Sequence, residues 1–437
     1  MPFIRPGALI FGALLLAGCA TEPPKSLVTP FPPVAEHPIA AQPPQLQQPV
    51  RGVWLATVSR LDWPPVSSIN VRSASARISQ QQQALIQKLD KLKSLNVNTL
   101  FFQVKPDGTA LWSSKILPWS DMLTGRIGDD PGYDPLQFVL DEAHKRGIKV
   151  HAWFNPYRVT VNTKTSTVSE LNQTLSLHPA SVFLLHPDWV RTAGERYVLD
   201  PGIPEVRDWI TSIVAEVVTQ YPVDGVQFDD YFYAETLGSP LNDSETFRQY
   251  GQGFASKADW RRHNTQRLIE QVSRAIKQIK PAVAFGVSPA GVWRNRSHDP
   301  AGSDTRGAAA YDESYADTRR WVQQGLLDYI APQIYWPFSR QAARYDELTR
   351  WWADVVKPTH TRLYIGVALY KVGMPSTVEP EWTISSGVPE LKKQLDLNES
   401  LPEVDGTILF REDYLNQPQV LEAVNLLKAR WNGAGSR

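Results

Sequence analysis

Eight short runs rich in β-branched, aliphatic and aromatic residues recur along the chain, separated by longer segments whose apolar positions return every three or four residues. The first pattern suits strands and the second amphipathic helices. The candidate strands are Gly52–Val58, Thr99–Lys105, Lys149–Asn155, Gly225–Asp230, Ala284–Pro289, Tyr329–Tyr335, Arg362–Tyr370 and Gly406–Arg411. Helical patterns cover about 79–94, 135–146, 205–220, 257–279, 314–325, 341–356, 388–398 and 417–431. Pro204-Glu205 opens one helix with a proline and an acid, and Arg146-Gly147 closes another with a cation and a glycine. Regular alternation of strand and helix predicts an α/β fold with a parallel sheet, and eight such units predict a (β/α)8 TIM barrel. A doubly wound open sheet fits less well, because no glycine-rich phosphate fingerprint follows the first strand.

The connections are unequal. Residues 106–134, 156–204, 231–256 and 290–313 form long loops after the second to fifth strands, whereas the returns from helix to strand are short. Barrel enzymes build their clefts from the loops that follow strands, so this asymmetry predicts an elaborated binding face at that end.

Ahead of the barrel the pattern changes. Met1-Pro2-Phe3-Ile4-Arg5 leads into a run of small and apolar residues from Gly7 to Gly18, which reads as an export signal over residues 1–18. The run is too short to cross a bilayer, which takes about 20 apolar residues. Leu16-Ala17-Gly18-Cys19 resembles a lipobox, so Cys19 is expected to carry lipid. Acyl chains contribute about 0.8 kcal/mol per buried CH2 and would hold the protein on a membrane without a spanning helix. Ala20 stands where inner-membrane lipoproteins of enteric bacteria usually carry Asp, which by resemblance favours an outer membrane address facing the periplasm. Residues 19–49 are rich in Pro and Gln and poor in large apolar side chains, so they are expected to form a tether, with the barrel over 50–437. Cys19 is the sole cysteine, so no intramolecular disulfide can form. Lys plus Arg number 45 and Asp plus Glu 45, without a long basic run, which argues against nucleic acid as a partner.

The richest chemistry lies in Val223-Asp224-Gly225-Val226-Gln227-Phe228-Asp229-Asp230-Tyr231-Phe232-Tyr233, a short strand that stops on two carboxylates and three rings. Side chains alternate along a strand, so if Val226 and Phe228 face the helices, Gln227 and Asp229 face the barrel mouth. Asp229 is the preferred catalytic carboxylate, and Asp230 would orient it, raise its pKa or reach substrate itself. Such a pair could instead cap the next segment or bind a cation, yet few acids or histidines stand nearby at ligand spacing, so no metal and no cofactor is expected. Glycoside hydrolysis normally uses two carboxyl groups. The third strand ends in Asn155 and the fifth in Ser288, so a further acid must come from loops or farther strands: Asp107, Asp200, Glu235 or Glu412. Asp200 and Glu235 join the catalytic candidates, and Asp107 and Glu412 the substrate-contact set. Lys105, Asn155, Arg158, Gln227, Gln333, Tyr335 and Tyr370 fall at strand ends in a way that suits hydroxyl recognition. Trp112, Tyr231 and Trp336 offer rings that could stack on pyranose faces. His151 reads as an interior histidine, and no Gly-x-Ser-x-Gly elbow supplies a nucleophilic serine.

Five blocks together resemble the bacterial glycosyl-hydrolase-like family 10. They are Arg51-Gly52-Val53-Trp54-Leu55; Asn98-Thr99-Leu100-Phe101-Phe102-Gln103-Val104; His151-Ala152-Trp153-Phe154-Asn155-Pro156-Tyr157-Arg158; Leu199-Asp200-Pro201-Gly202 with Pro204-Glu205-Val206-Arg207; and Asp224 to Phe232. The lipoprotein layout resembles that family's divisome-associated members. This implies a glycosidase acting on peptidoglycan glycan strands stripped of their peptides, with cell-division proteins as partners. The strand ending in Asp229 is also similar in spacing to the nucleophile strand of α-amylase-like barrels, with Gln227 where those carry Arg, a resemblance that implies the nucleophile role for Asp229. A non-catalytic glycan-binding lipoprotein using the same cleft is the rival reading, and a metal-assisted deacetylase a third.

Overall fold

The computed structural model describes residues 48–233 and 241–433. The predicted export signal, Cys19, nearly all of the predicted tether and Glu235 lie outside them.

Eight strands form one closed parallel barrel: β1 (Val50–Leu55), β2 (Thr99–Lys105), β3 (Lys149–Phe154), β4 (Gly225–Phe228), β5 (Ala284–Val287), β6 (Tyr329–Ile330), β7 (Arg362–Val367) and β8 (Val404–Leu409). Each strand pairs with the next in sequence, and β8 returns to β1 through Val50↔Gly406 to Val53↔Leu409. The principal helices between and after the strands are α1 (Ala74–Ser94), α2 (Pro135–Lys145), α3 (Pro204–Gln220), α4 (Lys257–Ile279), α5 (Thr318–Gln323), α6 (Tyr345–Val356), α7 (Val388–Ser400) and α8 (Leu421–Gly433). The predicted (β/α)8 TIM barrel is the observed fold, and the long loops follow β2 to β5.

Local chemistry sets the boundaries. The Ser73 side chain caps α1 by accepting from Ala76 N–H, which starts that helix five residues ahead of its apolar period. Asp134 caps α2 just before Pro135, and Gly147 follows at φ 69°. Strand β6 is shorter than its apolar run predicts, because Pro332 has no N–H for the ladder. Beyond it pairing survives only as single bridges, Ala290↔Gln333 and Gln333↔Gly366. One element without a sequence forecast is an antiparallel hairpin, Val190–Ala193 with Arg196–Leu199, in the loop after β3.

Strand alternation divides the apolar residues into two layers. Leu100, Phe102, Val104, Val150, Ala152, Phe154, Val226, Phe228, Phe285 and Val287 join the helices in one large core. Trp54, Phe101, Trp153, Tyr329, Tyr364 and Ile408 fill the barrel itself. These rings need glycine across from them: a Cβ on Gly225 would lie 2.4 Å from His151, and one on Gly286 2.2 Å from the Tyr329 ring. His151 is an interior residue as expected, with Nδ1 3.0 Å from the Tyr329 hydroxyl, and burial lowers its pKa to about 4. No helix among the described residues is long and apolar enough to cross a membrane.

Candidate active site

The alternation that sends Val226 and Phe228 into the helical layer turns Gln227 and Asp229 toward the barrel axis, with Asp229 one residue beyond the end of β4. Asp229 is 4% exposed and surrounded by donors. Trp153 Nε1 donates to Oδ2 at 3.1 Å, Asn155 Nδ2 donates to the same oxygen, and the Tyr231 N–H donates to Oδ1 at 3.3 Å. Burial, followed by the negative charge of Asp230, pushes the Asp229 pKa up to about 7, against the opposing pull of Arg158 and the donors. A carboxyl held there can give or take a proton near neutrality.

Asn155 is itself held. Gln103 Nε2 donates to Asn155 Oδ1 at 2.6 Å, while Gln103 Oε1 accepts from the N–H groups of Thr57 and Val58 at 2.9 and 2.8 Å. Gln227 is fully buried beneath Asp229, and both its amide atoms lack a hydrogen-bond partner among the described residues.

Asp230 is half-buried at the mouth. Burial first, and then nearby charge that includes Asp230, raises the hydroxyls of Tyr231 and Tyr335 as it does Asp229. The Arg158 guanidinium lies 4.7 Å over the Tyr231 ring and donates to Pro106 O at 3.2 Å. A wall of rings continues around the rim: Tyr335 stacks on Phe410 at 5.7 Å and meets Tyr370 edge-on at 5.8 Å, and Tyr370 lies 6.2 Å from Tyr414. Lys371 Nζ ties this wall together by donating to Tyr335 O at 2.6 Å. Gln333 Nε2 donates to Ser288 O at 2.9 Å, and Trp336 is half-buried against the core.

Other residues read as substrate contacts have structural partners. Lys105 Nζ donates to the carbonyls of Asn155, Pro156 and Arg158 at 2.8, 3.3 and 3.4 Å, so it shapes the turn that presents Asn155 and Arg158. Asp107 accepts from Thr109 N and Oγ1 at 3.0 and 2.5 Å, and burial raises its pKa against the pull of Thr109, Lys105 and Arg158. Asp121, absent from the sequence reading, is pushed up to about 7 by burial and then by Asp107.

Three expectations meet a different environment. Asp200 is fully buried, accepting from Gly202 N at 3.0 Å, from Thr246 Oγ1 and from Arg191 Nε at 3.2 Å, so it fastens the entry to α3. Trp112 is fully buried in the helical layer, edge-on to Phe154, with Nε1 donating to Glu216 at 2.9 Å. Glu412 is fully buried and paired with Lys88 of α1, and burial raises its pKa to about 7. All three are buried, and each has a partner inside the fold. The sequence reading also passed over Gln103, Trp153 and Phe410. The first two lie in step with Lys105 and Asn155 on their strands, so the same alternation that exposed Asp229 was the available signal.

A cavity of about 1000 Å3 opens at the opposite end of the barrel, among the strand starts at Thr99, Lys149, Ala284, Tyr329 and Arg362. Its acids are engaged in structure: Asp224 accepts from Val150 N and Asp328 from Phe285 N.

Comparison with known proteins gives a consistent picture. Residues 49–384 match the family described as glycosyl hydrolase-like 10. Glycosyl hydrolase DigH of Escherichia coli (strain K12) is 72% identical over 427 residues, spanning 98% of this chain and 97% of that protein. Glycosyl hydrolase YngK of Bacillus subtilis (strain 168) is 43% identical over 376 residues, spanning 85% of this chain and 70% of that protein. Among solved structures, the PgaB (BpsB) glycoside hydrolase domain from Bordetella bronchiseptica superposes with a TM-score of 0.52 at 15% identity. It covers 87% of this chain and 98% of that one, a likeness of fold.

Proposed function

Because the chain belongs to the glycosyl hydrolase-like 10 family, we propose that it is a glycoside hydrolase in which Asp229 moves the proton and Asp230 supplies the second carboxyl. The observation that carries this reading is Asp229 itself: an acid at the end of a barrel strand, buried among donors and raised to about 7 beside a second carboxylate. In the protonated state it can deliver a proton to the departing glycosidic oxygen. Asp230, half-exposed at the mouth, then faces the charge that develops at the anomeric carbon, by attack or by stabilisation. The rings of Tyr231, Tyr335 and Tyr370 offer surfaces for pyranose faces.

The substrate in this proposal is the glycan backbone of peptidoglycan, in strands freed of their peptides. Support comes from the export signal, the lipobox at Cys19 and the Pro- and Gln-rich tether, which together argue for an outer-membrane lipoprotein facing the periplasm. Cell-division proteins are the partners this reading implies. The test is to incubate purified protein with peptide-free glycan strands and count new reducing ends. Wild type is expected to release them and Asp229→Asn to fall by at least a hundredfold. Equal release would remove Asp229 from the chemistry, and saturable retention of glycan without release would favour a binding protein instead.

A further inference from the structure

The hydrogen bonds around Asp229 distinguish its two oxygens. Among the described residues, Oδ2 receives two side-chain donors, Trp153 Nε1 and Asn155 Nδ2, whereas Oδ1 receives one long backbone contact at 3.3 Å. An oxygen facing two N–H groups has no room for a proton of its own, so a proton on Asp229 resides on Oδ1.

The orientation of Asn155 decides this. An asparagine amide can present either oxygen or nitrogen to its neighbour, and only a fixed partner selects one. Gln103 is that partner. Its Oε1 accepts from two successive backbone N–H groups, Thr57 and Val58, so its Nε2 must point to Asn155 Oδ1. Asn155 then has to turn Nδ2 to Asp229. Gln103 is 1% exposed and Asn155 is 1% exposed, so water does not compete for these groups.

We infer that Gln103 is a positioning residue: through Asn155 it commits Asp229 Oδ2 to accepting and leaves Oδ1 as the oxygen that exchanges the proton with substrate. The polarity originates in the backbone after β1 and passes across β2 and β3 to the end of β4. This rests on the proposed role of Asp229.

The test replaces Gln103 in the full chain. Gln103→Glu retains an acceptor for Thr57 and Val58, which favours its ionised form, and loses the donor to Asn155. Gln103→Met removes both and serves as the second variant. Gln103→Glu competes for Asn155 Nδ2 and takes a donor from the Asp229 carboxylate, so the Asp229 titration is expected to move up by about one pH unit in that variant and by less in Gln103→Met, which only releases Asn155. On glycan strands kcat is expected to fall about tenfold or more, with KM little changed. The titration is read directly by 13C NMR of aspartate carboxyls, with Asp229→Asn used to assign the signal, so it stands apart from turnover. If the Asp229 signal titrates unshifted in both variants while they remain folded, the relay is wrong. If Asp229→Asn keeps full activity while the signal does shift, the relay holds and the catalytic reading fails.

Discussion

At the residue scale, Asp229 couples stability to protonation. Its folded pKa of about 7 lies above the usual carboxylate value of 3.8, so folding favours the protonated form. This contribution is fully present below the unfolded value and is lost as pH rises through about 7. Above that, a buried charge is a net cost. Asp229→Asn is isosteric and stays neutral, so its melting temperature is expected to exceed that of wild type by a few degrees at pH 8 and by little or nothing at pH 4. Thermal unfolding at the two values checks this. A melting temperature that rises in the neutral isostere is what the proposed role of Asp229 predicts. The same titration is expected in turnover, with a limb of kcat/KM near pH 7 in a pH–rate profile.

At the element scale, the barrel depends on pairs that join strands to their covering helices. Lys88 of α1 neutralises Glu412, which is fully buried just past β8. Lys88→Met would leave an acid with one oxygen already unpartnered among the described residues. Breaking such a buried pair costs about 3–5 kcal/mol, and a drop of that order in unfolding free energy is expected from denaturant titration. The loss should be smaller at pH 5 than at pH 8, because Glu412, raised to about 7, is then mostly protonated. Inside the barrel, Gly286→Ala would drive a methyl into the Tyr329 ring at 2.2 Å. Overpacking there is expected to cost about 1–3 kcal/mol, read from the same titration.

At the scale of the whole molecule, all eight strands run the same way, which separates the ends of the described barrel from the candidate site. Pro49 O accepts from Asn98 Nδ2 at 2.9 Å beside the start of β1, and Asn96 Nδ2 donates to Trp431 O at 2.7 Å at the close of α8. Both ends of the described barrel therefore lie at the strand starts, opposite Asp229. A chain beginning at Gln48 should keep the wild-type kcat/KM on soluble glycan strands, since β1 and its pairing to β2 and β8 remain whole. Measuring that ratio beside full-length protein tests whether the upstream segment serves only for placement.

Periodicity alone places every barrel strand and each principal helix, and alternation turns Asp229 inward. These are local properties, repeated every two or every 3.6 residues, so the linear order of side chains contains them. It could not separate Asp200, Trp112 and Glu412 from the cleft, because an acid or ring after a strand looks the same whether it meets solvent, a helix cap or a lysine from α1. Nor could it show that Gln103 reaches Asn155, 52 positions away, or that Phe410 lies under Tyr335. Those contacts exist only once the barrel closes, because the pKa of a carboxyl and the direction of an amide are set by neighbours brought from other strands.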